Sequence, residues 1–100
     1  MIFAFWLTDR PGTAHLRVEV RPAHLEYLGK MAEQIAFAGP LTSEDGKTVV
    51  GSLLVIDFPS RPQAEAWIAA EPFMKAGVYE KSAIQVFNNR WPQKAGFPSA

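Results

Sequence analysis

Residues 17–35, RVEVRPAHLEYLGKMAEQI, decide the fold. Leu25, Leu28, Ala32 and Ile35 recur at helical spacing, while Glu26, Lys30 and Glu33 fall elsewhere and suit water. Pro22 lacks an N–H and crowds the preceding turn. The expectation is therefore a kinked helix, or two abutting helices with Pro22 in the first turn of the second. Upstream, a short helical stretch begins at Pro11 or Thr13 and reaches Val20. Gly39-Pro40 is the expected stop.

Strands flank this helix. Met1–Leu7 is rich in β-formers and apolar at both alternating sets of positions, Ile2, Ala4 and Trp6 against Phe3, Phe5 and Leu7. Such a run means a strand covered on both sides. Thr8-Asp9-Arg10-Pro11-Gly12 breaks it. After the helix, residues 37–43 read as a short irregular strand, and Asp45-Gly46 marks a hairpin turn. Residues 49–58 form the next strand, again apolar on both faces at Leu53-Leu54-Val55-Ile56. Gly51-Ser52 near its start marks a bulge or a close approach by a ligand. Ser60 is the expected N-cap of a second helix, with Pro62 in its first turn and Ala64, Trp67 and Ile68 facing inward. Glu71-Pro72 ends that helix. Residues 73–77 read as a turn or one helical turn, and residues 82–88 as the last strand.

The order β-α-β-β-α-β is the ferredoxin-like pattern, an α+β fold with a four-stranded antiparallel sheet and helices on one face. Helices cover one side only, yet the strands are apolar on both. A monomer would leave more apolar surface wet than is usual, so the expectation is a homodimer joined through the open sheet face. Residues 1–88 are read as one domain and 89–100 as a tail, loose or pinned to a partner by Trp91 and Phe97.

Composition narrows the function classes. Ten Lys plus Arg balance ten Asp plus Glu, so no basic excess points to nucleic acid. There is no cysteine, hence no disulfide framework and no thiolate metal site. Two histidines nine apart make no metal motif. No segment reads as a signal peptide or a spanning helix, and the expected location is cytoplasmic, away from membranes. No Gly-rich phosphate loop appears, and no cofactor is expected.

The chemistry-bearing residues cluster on the quoted stretch. Arg17, Arg21, His24 and Leu28 follow a spacing of four, three and four, which puts them on one side of a continuous helix. A neutral imidazole is a general base, and the two arginines suit an anionic substrate. The competing reading is a histidine that borders the core with its ring nitrogen satisfied locally. Glu71 is either a surface glutamate or a carboxylate that orients His24. Asp9 reaches the same end of the sheet or serves its own turn. Ser52 has no dedicated base at readable spacing, so it suits pocket lining better than nucleophilic attack.

The strings Asp9, Arg17, Arg21-Pro22-Ala23-His24-Leu25, Ala38-Gly39-Pro40, Gly51-Ser52, Ala64-Glu65-Ala66-Trp67, Pro72-Phe73 and Ala76-Gly77-Val78-Tyr79-Glu80 occur in an order and spacing that resembles the YciI-like (YCII-related) family. That family is part of the dimeric α/β-barrel superfamily, which includes muconolactone isomerase. The resemblance spans residues 1–88. It implies a ferredoxin-like protomer, a sheet-to-sheet dimer and a pocket whose histidine and aspartate are a proposed acid–base pair. The histidine corresponds to His24. The aspartate precedes a Pro-aromatic pair, where this chain carries Glu71, one methylene longer. The expected function is a small cofactor-free lyase or isomerase acting on a small anionic or aromatic-derived molecule. His24 and Glu71 would be catalytic, with Arg17, Arg21, Asp9 and Ser52 binding substrate. The alternative is a non-catalytic dimeric binding or accessory protein for a small ligand.

Overall fold

The computed structural model describes residues 1–91. Its elements are β1 (Ile2–Asp9), α1 (Ala14–Gly29), β2 (Ile35–Thr42), β3 (Val49–Asp57), α2 (Arg61–Ala69), α3 (Pro72–Lys75) and β4 (Tyr79–Phe87). The strands form one antiparallel sheet in the order β2-β3-β1-β4. This is the ferredoxin-like arrangement, with the short α3 added. Phe97 and the rest of 92–100 lie outside the described residues.

The core sits between the sheet and the helices. Phe3, Phe5 and Leu7 pair across the sheet with Ile56, Leu54 and Ser52, and all six are buried. Ala64 and Ile68 of α2, Phe73 of α3 and Val78 complete the apolar cluster, with Leu16, Val20 and Leu28 of α1 packed against it. The opposite face follows from the period of two. Ile2, Ala4 and Trp6 pair there with Asp57, Val55 and Leu53 on one side and Phe87, Gln85 and Ala83 on the other. Trp6 is 55% exposed, and Phe37 and Phe87 are also largely open to solvent.

Several features differ from the sequence reading. Helix α1 runs unbroken through Pro22, so neither a break nor a second abutting helix is present. Pro22 lies on an exposed position. The helix stops at Gly29 rather than at Gly39-Pro40. Residues 30–34 form turns closed by Gln34 and Ile35 N–H groups donating to the Met31 carbonyl. The inner row is consequently Leu16, Val20 and Leu28, while Leu25 is 53% exposed and Ile35 opens β2. Pro40 lies in β2 because that strand is an edge, where a missing donor is tolerated.

Strand β1 continues through Thr8 and Asp9, and a register shift against β4 at these two residues sets Asp9 opposite Tyr79. Gly51 is needed for close approach, but by the protein itself. A Cβ at that position would overlap the Leu7 carbonyl oxygen of β1. The Asp45-Gly46 turn forms as read, with Gly46 at φ 76° and Asp45 accepting from Ser43 and from the Lys47 N–H. Ser60 caps α2 through the Gln63 N–H.

Candidate functional site

A cavity of about 650 Å³ opens between α1 and the β2–β3 side of the sheet. Arg17, Arg21, His24 and Leu28 line it together. A continuous helix makes this possible, because the four residues advance by whole turns. The sheet contributes Gly39, Pro40, Ser52 and Leu54; the β2–β3 connection contributes Lys47 and Thr48; α3 contributes Phe73.

His24 is held from two directions. Its Nδ1 hydrogen-bonds Glu71 Oε1, and its ring stacks on Phe73 with centroids 3.9 Å apart and planes 14° from parallel. Glu71 is 0% exposed. It is not a surface glutamate at the carbonyl end of α2. It is the N-cap of α3, where its Oε2 accepts the Met74 N–H at 3.2 Å. Proline at the next position suits a helix start, so Glu71-Pro72 ends one helix by beginning another. An ionised carboxylate accepts only, so the proton of the His24–Glu71 bond belongs to Nδ1. That leaves the Nε2 lone pair as the free basic position of the ring. The buried Glu71 also reaches a phenol: burial and then Glu71 raise Tyr27 above its ordinary range.

A second network lies beside the first. Arg17 Nε donates to Asp9 Oδ2 at 2.7 Å, and Nη2 donates to Asp9 Oδ1 at 2.8 Å, Ser52 Oγ at 2.9 Å and the Gly51 carbonyl at 3.0 Å. The fork-on-fork pair is the strong geometry for a guanidinium and a carboxylate. Burial works against the Arg17 cation, yet Asp9 and, to a smaller extent, Tyr79 together outweigh it and hold the guanidinium above its usual value. Tyr79 donates its hydroxyl to Ser52 Oγ at 2.9 Å. Burial is the main cause that pushes the Tyr79 phenol up to about 12. The Phe73 ring lies 5.0 Å from the Arg17 guanidinium carbon, so one aromatic side chain touches both networks.

The residues singled out in the sequence therefore occupy different layers. His24, Arg17, Arg21 and Ser52 line the cavity. Asp9 and Glu71 do not line it; each stands behind a residue that does. Ser52 accepts from Arg17 and Tyr79. His15 is exposed. Three contributors escaped sequence reasoning. Tyr79 meets Asp9 only through the β1–β4 register, Phe73 reaches His24 only through the packing of α3 on α1, and Lys47 arrives with the hairpin. The string Ala76-Gly77-Val78-Tyr79-Glu80 was the one available hint for Tyr79. Among the described residues, no three His, Asp or Glu side chains gather as a metal site.

Comparisons with known proteins agree with this fold. The model of the YCII-related domain matches residues 1–88. Protein YciI of Escherichia coli O6:H1 is 31% identical over 94 residues, covering 87% of this chain and 96% of that protein. An uncharacterized protein of Haemophilus influenzae is 28% identical over the same coverage. Among solved structures, 5-chloro-2-hydroxyhydroquinone dehydrochlorinase (TftG) of Burkholderia phenoliruptrix AC1100, in complex with 2,5-dihydroxybenzoquinone, superposes with a TM-score of 0.81. The two are 29% identical, over 88% of this chain and 94% of that one.

Proposed function

Since the chain belongs to the YCII-related domain family, we propose that it is a small cofactor-free lyase or isomerase whose acid–base pair is His24 and Glu71. The observation that carries this reading is the His24 Nδ1–Glu71 bond in the wall of an apolar cavity, with the Glu71 carboxylate wholly buried behind it. His24 Nε2 accepts a proton from a position next to a substrate carbonyl. Glu71 stabilises the imidazolium that forms and holds the ring in the tautomer that can receive the proton. The electron pair left on the substrate either expels a leaving group, which is elimination, or takes the proton back at another carbon, which is isomerisation. Imidazolium is the donor for the second outcome.

The substrate class is a small anionic or aromatic-derived molecule. The likeness to TftG, a dehydrochlorinase of a hydroxylated ring, supports a lyase style of chemistry. Within the same proposal Arg17 and Arg21 bias the cavity towards anions. Arg17, with Asp9 and Ser52, also shapes the wall. The protein acts as a homodimer through the open sheet face, where Trp6, Phe37 and Phe87 are exposed beside Ala83 and Leu53. Among the described residues no helix is long and apolar enough to cross a membrane; a cytoplasmic location is part of the proposal.

The test is a screen of hydroxyquinones and unsaturated lactones with proton exchange and halide release as readouts. His24→Ala should lower turnover about 10²–10⁴-fold while ligand binding persists. A binding protein would instead show no turnover with any of these compounds, and His24→Ala would change affinity alone.

A further inference from the structure

The charges around the cavity are arranged asymmetrically. Among the described residues no carboxylate lines it, although two stand directly behind its wall. Asp9 is taken up by Arg17, and Glu71 by His24 and the Met74 N–H. Two cations on the cavity wall remain uncommitted. Arg21 stands one helical turn from Arg17 on α1, and Lys47 comes from the β2–β3 connection. Both are exposed, and neither joins an ion pair among the described residues. Leu25 of α1 and Val49 at the start of β3 supply apolar surface to the same cavity.

A cleft whose unpaired charges share one sign concentrates ligands of the opposite sign. Its apolar wall favours a flat carbon skeleton. We propose that Arg21 and Lys47 form a two-element anion clamp, and that the ligand is a ring acid with a permanently ionised carboxylate rather than a neutral phenol or lactone. The β2–β3 connection is then a specificity-determining element, because it delivers one of the two cations. Arg17 contributes less to this selection, since Asp9 neutralises it. This inference rests on the preceding reading only in taking the same cavity as the ligand site; it does not require His24 to transfer a proton.

The test compares 2,5-dihydroxybenzoate with its methyl ester, a pair of similar shape that differs by one permanent charge. Binding is followed by calorimetry and amide shifts at low salt. The acid should bind the wild-type protein about tenfold more tightly than the ester. Exposed charge pairs contribute modestly, so Arg21→Gln and Lys47→Gln should each weaken the acid about threefold, and the double variant about tenfold. Affinity for the ester should not move. Added salt should weaken the acid alone. Equal binding of acid and ester, a loss shared by both, or no binding of the acid at millimolar concentration would overturn the clamp. Both positions are exposed and unpaired, so the variants keep the fold. His24→Ala separates the two readings: the acid-to-ester ratio should persist there, whatever happens to turnover.

Discussion

Replacing Glu71 tests the His24 site most directly, because two substitutions are expected to separate stability from chemistry. Glu71 accepts from two donors in a fully buried position, the His24 Nδ1–H and the Met74 N–H. In Glu71→Ala both donors lose their partner. Each unsatisfied buried donor costs about 1–3 kcal/mol, and the Met74 N–H is the one that Glu71 caps at the start of α3. The expected loss is about 2–6 kcal/mol, against a total stability of about 5–15 kcal/mol for a domain of this kind. Glu71→Gln is different. A glutamine has one acceptor oxygen and an amide nitrogen that only donates. It satisfies both neighbours only if its oxygen takes the Met74 N–H and its amide donates to a deprotonated Nδ1 of His24. The imidazole must then carry its proton on Nε2, and the free basic position is gone. Glu71→Gln should therefore lose about 1 kcal/mol in urea denaturation, yet lose turnover about as severely as His24→Ala. Nitrogen-15 chemical shifts of the imidazole report the tautomer directly. A Glu71→Gln protein that keeps its proton on Nδ1, or that keeps full activity, would refute the reasoning.

Other outcomes follow from the same contacts. Asp9→Ala strands the largely buried Arg17 guanidinium and should cost about 3–5 kcal/mol in chemical denaturation; Asp9→Ala combined with Arg17→Met should recover part of that loss. The Tyr79 phenol is raised from 10 to about 12 in the folded protein, chiefly by burial. Its contribution is complete below pH 10, where folded and unfolded chains both keep the proton. It declines between pH 10 and 12, where only the unfolded chain releases it. The full span is about 3 kcal/mol, and Tyr79→Phe should flatten that part of the pH–stability curve. Sedimentation should show a dimer of the wild type at micromolar concentration, and Trp6→Lys should yield monomer by placing a charge on the open sheet face. A wild-type monomer would remove the face-to-face interface.

The sequence by itself determined the order of elements, because that order rests on local signals. Apolar strand runs, Asp45-Gly46, the Ser60 cap and Glu71-Pro72 each act within a few residues. The four-three-four spacing of Arg17, Arg21, His24 and Leu28 was legible for the same reason, and it became a shared cavity wall once α1 ran continuously through Pro22. The helix end was misread because Ala32 and Ile35 continue the apolar period after Gly29, and pairing of Ile35 with Ile56 competes successfully for the last of them. Only the tertiary structure decided which groups stand behind the site. Glu71 and His24 are 47 residues apart, and Asp9 meets Tyr79 across a register shift. Burial turned Glu71 from an ordinary glutamate into the fixed partner of an imidazole. Such long-range contacts depend on how β1, β4, α1 and α3 pack together, and no local propensity encodes that packing.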